Sequence, residues 1–171
     1  MPVAFGGPTD WGNLISDGEK AFRAKNYADA EGIFRTALRE CESSGLDALK
    51  LGVTLNDLAL ALESQNKNDE AEQLYARALA VKEKADGPDS ITLVPSLNNV
   101  GKLYYKAKKY PEAKSTFERA LTIVEKVKGK TDPTVGPILN NLARINTDMG
   151  DTKAAADYAQ RVTELASKSG N

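Results

Sequence analysis

The sequence predicts an all-α fold, a solenoid of four stacked helix–turn–helix units with about eight helices, and three observations carry that expectation. The motif Leu97-Asn98-Asn99-Val100-Gly101 has counterparts in Leu55-Asn56-Asp57-Leu58-Ala59 and Leu139-Asn140-Asn141-Leu142-Ala143, with 42 residues between successive leucines. Self-similarity at a fixed period of this size marks repeat architectures. A second column of small residues, Ala30, Ala71, Ala113 and Ala155, recurs at intervals of 41, 42 and 42. Within the third unit, Leu97, Val100, Gly101 and Tyr104 fall at i, i+3, i+4 and i+7, which is one face of an α-helix.

The elements follow in order. Leu14 and Gly18 place a helix over about 11–25, and Ala30, Phe34 and Ala37-Leu38 place its partner over 27–44. Leu55 and Ala59 mark 46–65; Ala71, Tyr75 and Ala78-Leu79 mark 68–86, with Asp69-Glu70 favouring the helix N-terminus. The next helix, 90–107, has N-caps on offer at Asp89-Ser90; its partner, 111–128, shows the stripe Ala113, Phe117, Ala120, Leu121, Val124. Thr131-Asp132 caps 133–149, with Pro133 suited to a first helical position, and Ala155 anchors 152–168. Gly45, Gly87 and Gly129 follow second helices, where a left-handed residue is wanted. Pro95 and Pro137, also 42 apart, lie too far inside their helices for first-turn positions, so a kink or restart is expected there. The units are about 11–45, 46–88, 89–130 and 131–168, forming one domain over 11–168 between flexible segments 1–10 and 169–171.

Composition limits the chemistry. With 41% apolar but only 6% aromatic residues, small side chains must do much of the packing. The formal net charge of −1 gives no global attraction to nucleic acid or anionic membrane. Histidine is absent, which removes the commonest general base and metal ligand. No catalytic constellation, metal cluster or cofactor motif emerges, and the chain reads as a non-enzyme. Gly129-Lys130-Thr131 echoes the end of a phosphate-binding loop, but Val124 stands where that loop needs its first glycine. The one cysteine, Cys41, is expected to be a packing residue. No apolar run approaches ~20 residues, and Met1 to Pro8 lacks the basic start and apolar core of a secretory signal, so a cytoplasmic protein is expected.

These columns resemble the tetratricopeptide repeat (TPR). The usual unit has 34 residues. The 42-residue unit, with Leu-Asn-Asn-Leu-Ala, Lys-Lys-Tyr-Pro-Glu-Ala, Arg-Ala-Leu and Gly-Pro-Asp, resembles the kinesin light chain type over about residues 11–168. The resemblance implies a right-handed solenoid whose first helices line a concave groove. It also implies a protein-interaction scaffold that holds an extended peptide or partner helix there. Departures fall at both ends. Asp17 and Ile15-Ser16 occupy the first unit's motif, and Thr163 and Ala159 replace a leucine and an aromatic in the fourth, as capping units would. A complete four-unit array is expected, with a drifted fragment of a longer one as the alternative.

On a helical wheel with Leu97 at the origin, Asn99, Lys102 and Lys106 lie opposite the buried stripe, and Asn98 and Tyr105 lie on its flank. Asparagine is a weak helix former, but a carboxamide can donate and accept at once, which suits peptide main chain. The resemblance gives these amides that task. Asn99 and Asn141 are the leading candidates, Asn56, Asn98 and Asn140 the weaker ones, and Asp57 breaks the pattern. Interhelical cross-linking or plain solvation are the alternatives for these amides. Groove-side neighbours are Glu63, Lys102, Tyr105, Lys106 and Arg144. Residues 101–130 carry eight lysines and one arginine against three glutamates, which favours an acidic peptide near the third and fourth units. The lysine-based clamp for a terminal carboxylate is not expected, since Ile15, Asn56, Asn98 and Asn140 fill its column. The alternative function is structural self-assembly by end-to-end stacking; otherwise a monomer or weak homo-oligomer is expected.

Overall fold

The computed structural model describes residues 10–45 and 47–169. Among them are eight α-helices and no strand: α1 Trp11–Arg23, α2 Tyr27–Ser44, α3 Ala48–Glu63, α4 Asn68–Asp86, α5 Val94–Lys106, α6 Tyr110–Lys128, α7 Val135–Asp148 and α8 Thr152–Ser169. A 3₁₀ turn, Ile91–Leu93, precedes α5. Two compact units result, one running to Val81 and the other starting at Lys82. Of the segments expected to be flexible, residues 1–9, 170 and 171 lie outside the described residues. Asp10 instead caps α1, its carboxylate accepting from Gly12 N at 3.2 Å, and Ser169 is helical.

Both prolines lie in the first turn of their helices, contrary to the expected kink or restart, and only Pro95 follows a preceding helical turn. Ser90 caps only the 3₁₀ turn, accepting from Thr92 N at 3.3 Å. The α-helix then begins at Val94, so Pro95 sits in its first turn after all, where a missing N–H costs nothing. Asp132 closes a turn on Thr134 N at 2.9 Å, and α7 begins at Val135, leaving Pro133 outside the helix and Pro137 at its third residue. Gly45 takes the left-handed conformation, whereas Gly129 pairs a positive φ of 92° with an extended ψ of 162°.

Every hairpin turns on one backbone motif. The last carbonyls of α1 are met by Lys25 N to Phe22 O and Asn26 N to Ala21 O, both 2.9 Å. The same bonds recur at Asn66 and Lys67, at Lys108 and Lys109, and at Gly150 and Asp151. The pivot residue must be left-handed, and φ is 62° at Lys25 and Asn66, 59° at Lys108 and 79° at Gly150. Only glycine accepts that region freely; the other three carry strain of about 1–2 kcal/mol each.

In the first unit, Ala30, Phe34, Ala37 and Cys41 of α2 and Leu55, Leu58, Ala59 and Leu62 of α3 form the core. Gly18 of α1 is required there: a Cβ would lie 2.3 Å from the Phe34 ring. Trp11 Nε1 donates to Thr54 Oγ1 at 2.8 Å, tying α1 to α3, and Cys41 packs buried against that hydroxyl. In the second unit Leu97, Val100 and Leu103 of α5 meet Ala113, Phe117, Ala120 and Val124 of α6, followed by Ile138, Leu139, Leu142 and Ile145 of α7. Gly101 repeats the arrangement of Gly18, with its virtual Cβ 2.6 Å from the Phe117 ring. The small column fades at the end, since Ala143 and Ala155 are half-buried.

A further column, outside the apolar pattern, joins the second helices. Arg35, Arg77, Arg119 and Arg161 are each 42 residues apart. Arg77 meets Glu42 at 2.7 Å, Arg119 meets Glu83 at 2.6 Å, and Arg161 meets Glu125. Arg35 instead bridges Glu31 and Glu70 at 2.9 and 2.6 Å. Glu31 also accepts from Gln65 Nε2 at 2.8 Å and Lys67 Nζ at 2.7 Å. Burial alone would raise its pKa. The hydrogen bonds from Lys67, Gln65 and Arg35 overcome that and hold it at about 2.

Two expectations test this packing. Ala113→Leu should cost ~1–3 kcal/mol through overpacking, and Gly101→Ala should also destabilise because its methyl must displace the Phe117 ring. Denaturant melts that show no loss in either variant would refute the register. Glu31 has a folded pKa below its unfolded value near 4.5, so its ionic contribution is present above pH 4.5 and is lost as pH falls towards 2. Glu31→Gln should therefore cost ~1–3 kcal/mol near neutrality, and its deficit against the native protein should shrink in melts taken between pH 5 and 2. A deficit independent of pH would rule out the ionic account.

Candidate functional site

In the second unit, α5 and α7 carry most of the expected groove residues. Val100 and Gly101 anchor α5 on α6, and Leu139 and Leu142 fix α7 by its buried side. The opposite faces present Asn99 and Asn141 half-buried, and Lys102, Lys106, Asn140 and Arg144 exposed. Tyr105 is the centre of this arrangement. Its hydroxyl donates to Asp148 Oδ2 at 2.5 Å, and the Arg144 guanidinium lies 4.3 Å from its ring centroid. The Tyr110 ring stands 5.7 Å away on another side. Arg144 also reaches Asn141 Oδ1, at 3.4 Å. The hydrogen bond to the Asp148 carboxylate raises the Tyr105 pKa above its ordinary value, so the phenol stays a neutral donor at physiological pH. A guanidinium stacked on an aromatic ring is pre-oriented, with its remaining N–H groups directed away from the stack.

The asparagines do not behave alike. Asn56 of α3 is only 8% exposed, so it offers little to a ligand, and the wheel reading that kept the motif's amides out of the interior does not hold for it. The Asn98 side-chain oxygen is fully buried and accepts no hydrogen bond. Glu63 is engaged by Tyr75, whose buried hydroxyl donates to its carboxylate at 3.2 Å. Burial first, and then the Glu63 charge, push the Tyr75 pKa far up. Asn99, Asn140, Asn141, Lys102, Lys106, Tyr105 and Arg144 thus keep at least partial exposure on α5 and α7.

Asp148 was missed from sequence. It follows Tyr105 by 43 residues, one repeat plus one, and only a tertiary contact reveals the pairing. The buried Asn146 was missed too. Its Nδ2 donates to Leu142 O at 2.7 Å and its Oδ1 accepts from Lys114 Nζ at 2.8 Å, so it ties α6 to α7 and serves packing. Among the described residues, no group of three His, Cys, Asp or Glu could hold a metal ion, and no helix is long and apolar enough to cross a membrane.

Comparison with known proteins agrees with this architecture. A tetratricopeptide repeat model matches residues 19–84 and 92–168. No curated protein matches by sequence. Among solved structures, BtubC (BKLC) from P. vanneervenii superposes with a TM-score of 0.87 at 23% identity, over 99% of this chain and 68% of that one. Kinesin light chain TPR-like repeats from Podosopora anserina give a TM-score of 0.81 at 16% identity, over 96% and 78%. Aspartyl phosphate phosphatase F from Bacillus subtilis gives 0.83 at 16%, over 96% of this chain and 42% of that one. With the 42-residue period, the small and aromatic columns and the hairpin geometry in place, the chain belongs to the tetratricopeptide repeat family, and its fold is similar to that of kinesin light chain-type repeats.

Proposed function

We propose that this chain is a non-catalytic protein-interaction module of the cytoplasm, and that α5 and α7 form the floor of a groove for an acidic, extended peptide. The observation that carries the reading is the Arg144–Tyr105 stack, whose helix α5 also carries the exposed residues Lys102 and Lys106. Three cations on one face, with Asp148 already engaged by Tyr105, suit carboxylates of a partner. Asn99 and Asn141, half-exposed beside them, would pair with peptide N–H and C=O groups, which explains why two poor helix formers stand in the helices. From Lys82 onward the chain holds fifteen Lys and Arg against eleven Asp and Glu, a net of +4, so attraction extends beyond the contact residues.

Self-assembly by stacking is less well supported. The carboxylates that receive an arginine from the next repeat, Glu42, Glu83 and Glu125, have Ser167 as the following member of their column. A further repeat's arginine would find no partner there. Light scattering should accordingly give a monomer, or weak association that stays small as concentration rises.

The double variant Asn99→Ala, Asn141→Ala decides between recognition and scaffolding. It should keep or slightly raise stability, because alanine is the better helix former by up to ~0.7 kcal/mol at each site. Its affinity for a Glu/Asp-rich peptide should drop, since each lost amide leaves main-chain groups unpaired at ~1–3 kcal/mol. Native binding should also weaken as salt rises, because exposed charges are screened over ~8–10 Å. Lower stability with unchanged affinity, or preference for basic peptides, would overturn the reading.

A further inference from the structure

The first unit carries a separate feature on α1 and α3. Because Gly18 has no side chain, the Phe34 ring seats directly against α1. Phe34, Phe22 and Leu60 then line a cleft of about 100 Å³, whose remaining walls are Glu19, Arg23 and Asp57. Phe22 and Leu60 are half-buried, so apolar surface faces the opening. Small-molecule sites run to ~300–1,000 Å³, so this cleft is too small for one, whereas an apolar cavity of ~150 Å³ suffices for benzene. Its size therefore suits one aliphatic side chain.

The rim adds a sign. Glu19 and Asp57 are the acidic lining residues and Arg23 the basic one; Arg23 Nη1 lies 3.4 Å from the exposed Glu19 carboxylate, whereas Asp57 Oδ2 is buried. Glu63 continues the same α3 row, two helical steps of three beyond Asp57. Up to Val81 the chain has thirteen Asp and Glu against eight Lys and Arg, a net of −5. Apart from Asp57, the residues of this cleft stand outside the asparagine motif.

We propose that this cleft is a side-chain socket, and that its occupant is an aliphatic residue of a bound peptide flanked by Lys or Arg. The inference rests on the groove reading above and deepens it, with a charge preference opposite to that of α5 and α7. Burying the aliphatic group removes it, Phe22 and Leu60 from water. The neighbouring cation meets the exposed Glu19 carboxylate at the rim.

The test uses the full chain, ¹⁵N-labelled, and nine-residue Gly/Ser peptides with a central Lys-Leu, Glu-Leu or Lys-Ala. Lys-Leu should shift amides around Phe22 and Leu60 and bind at least about threefold more tightly than either control, a margin that each lost contact would readily supply. Glu19→Gln, at an exposed position, should narrow the gap between Lys-Leu and Glu-Leu without changing the melt. Leu60→Ala should abolish the preference for leucine over alanine. Equal binding of all three peptides, or shifts confined elsewhere, would overturn the socket. If an acidic peptide still perturbs α5 and α7 while Lys-Leu leaves α1 and α3 unmoved, the socket alone falls. If neither peptide binds, the groove reading falls with it.

Discussion

A phenyl ring pressed onto a helix where a side chain is missing is the contact on which the remaining structure depends. Gly101 meets Phe117 and Gly18 meets Phe34 at distances that no Cβ could share. The two helices of a hairpin are therefore held close, and the ring fills what would otherwise be a gap between backbones. Once this is fixed, the rest of each hairpin has little freedom. Ala30 and Ala113 must be small because they lie at the same crossing, and both are fully buried. A low aromatic content is compatible with a solid core for this reason: each ring serves a whole hairpin.

Polar interactions then set the edges. The arginine column works through guanidinium groups that remain about one-third or more exposed, so each pair adds little stability, about 0–1 kcal/mol. It ties each of these second helices to the second helix before it. Glu31 is different. It is 14% exposed and takes donors from Arg35, Gln65 and Lys67, so it joins α2 to the turn between α3 and α4 as an ionised group. The strained left-handed turns at Lys25, Asn66 and Lys108 are tolerated because two backbone hydrogen bonds close at each.

The same packing leaves α5 and α7 with exposed outward residues and α1 and α3 with a half-buried cleft, and there charge and chemistry diverge between units. A net charge of −1 for the whole chain conceals −5 before Lys82 and +4 from that residue onward. On α5 and α7 the outward side chains are cations and amides, held by a tyrosine that is itself anchored to Asp148. On α1 and α3 the half-buried Phe22 and Leu60 line a cleft beside Glu19, Arg23 and Asp57. A recognition surface assembled from repeats can vary in this way because the columns that build the core are not the columns that face outward.

The sequence alone determined the repeat period, the eight helices to within a few residues and the identity of the core columns. Periodic burial imposes periodic residue types, and Gly, Ala and Phe recur at fixed spacing because each hairpin crosses its helices at the same closeness. Helical geometry also put Asn99, Lys102 and Lys106 opposite the buried stripe of their helix, whereas Asn141 and Arg144 were reached through the family resemblance. Tertiary structure decided what local pattern could not express. Asn56 and Asn99 occupy neighbouring positions of one motif, yet Asn56 is buried, because its exposure depends on neighbouring helices rather than on its own. The Tyr105–Asp148 bond, the Glu31 cluster and the Phe22–Leu60 cleft each join residues from different helices. Such contacts depend on side-chain reach across a packed interface, and no spacing along the chain encodes them.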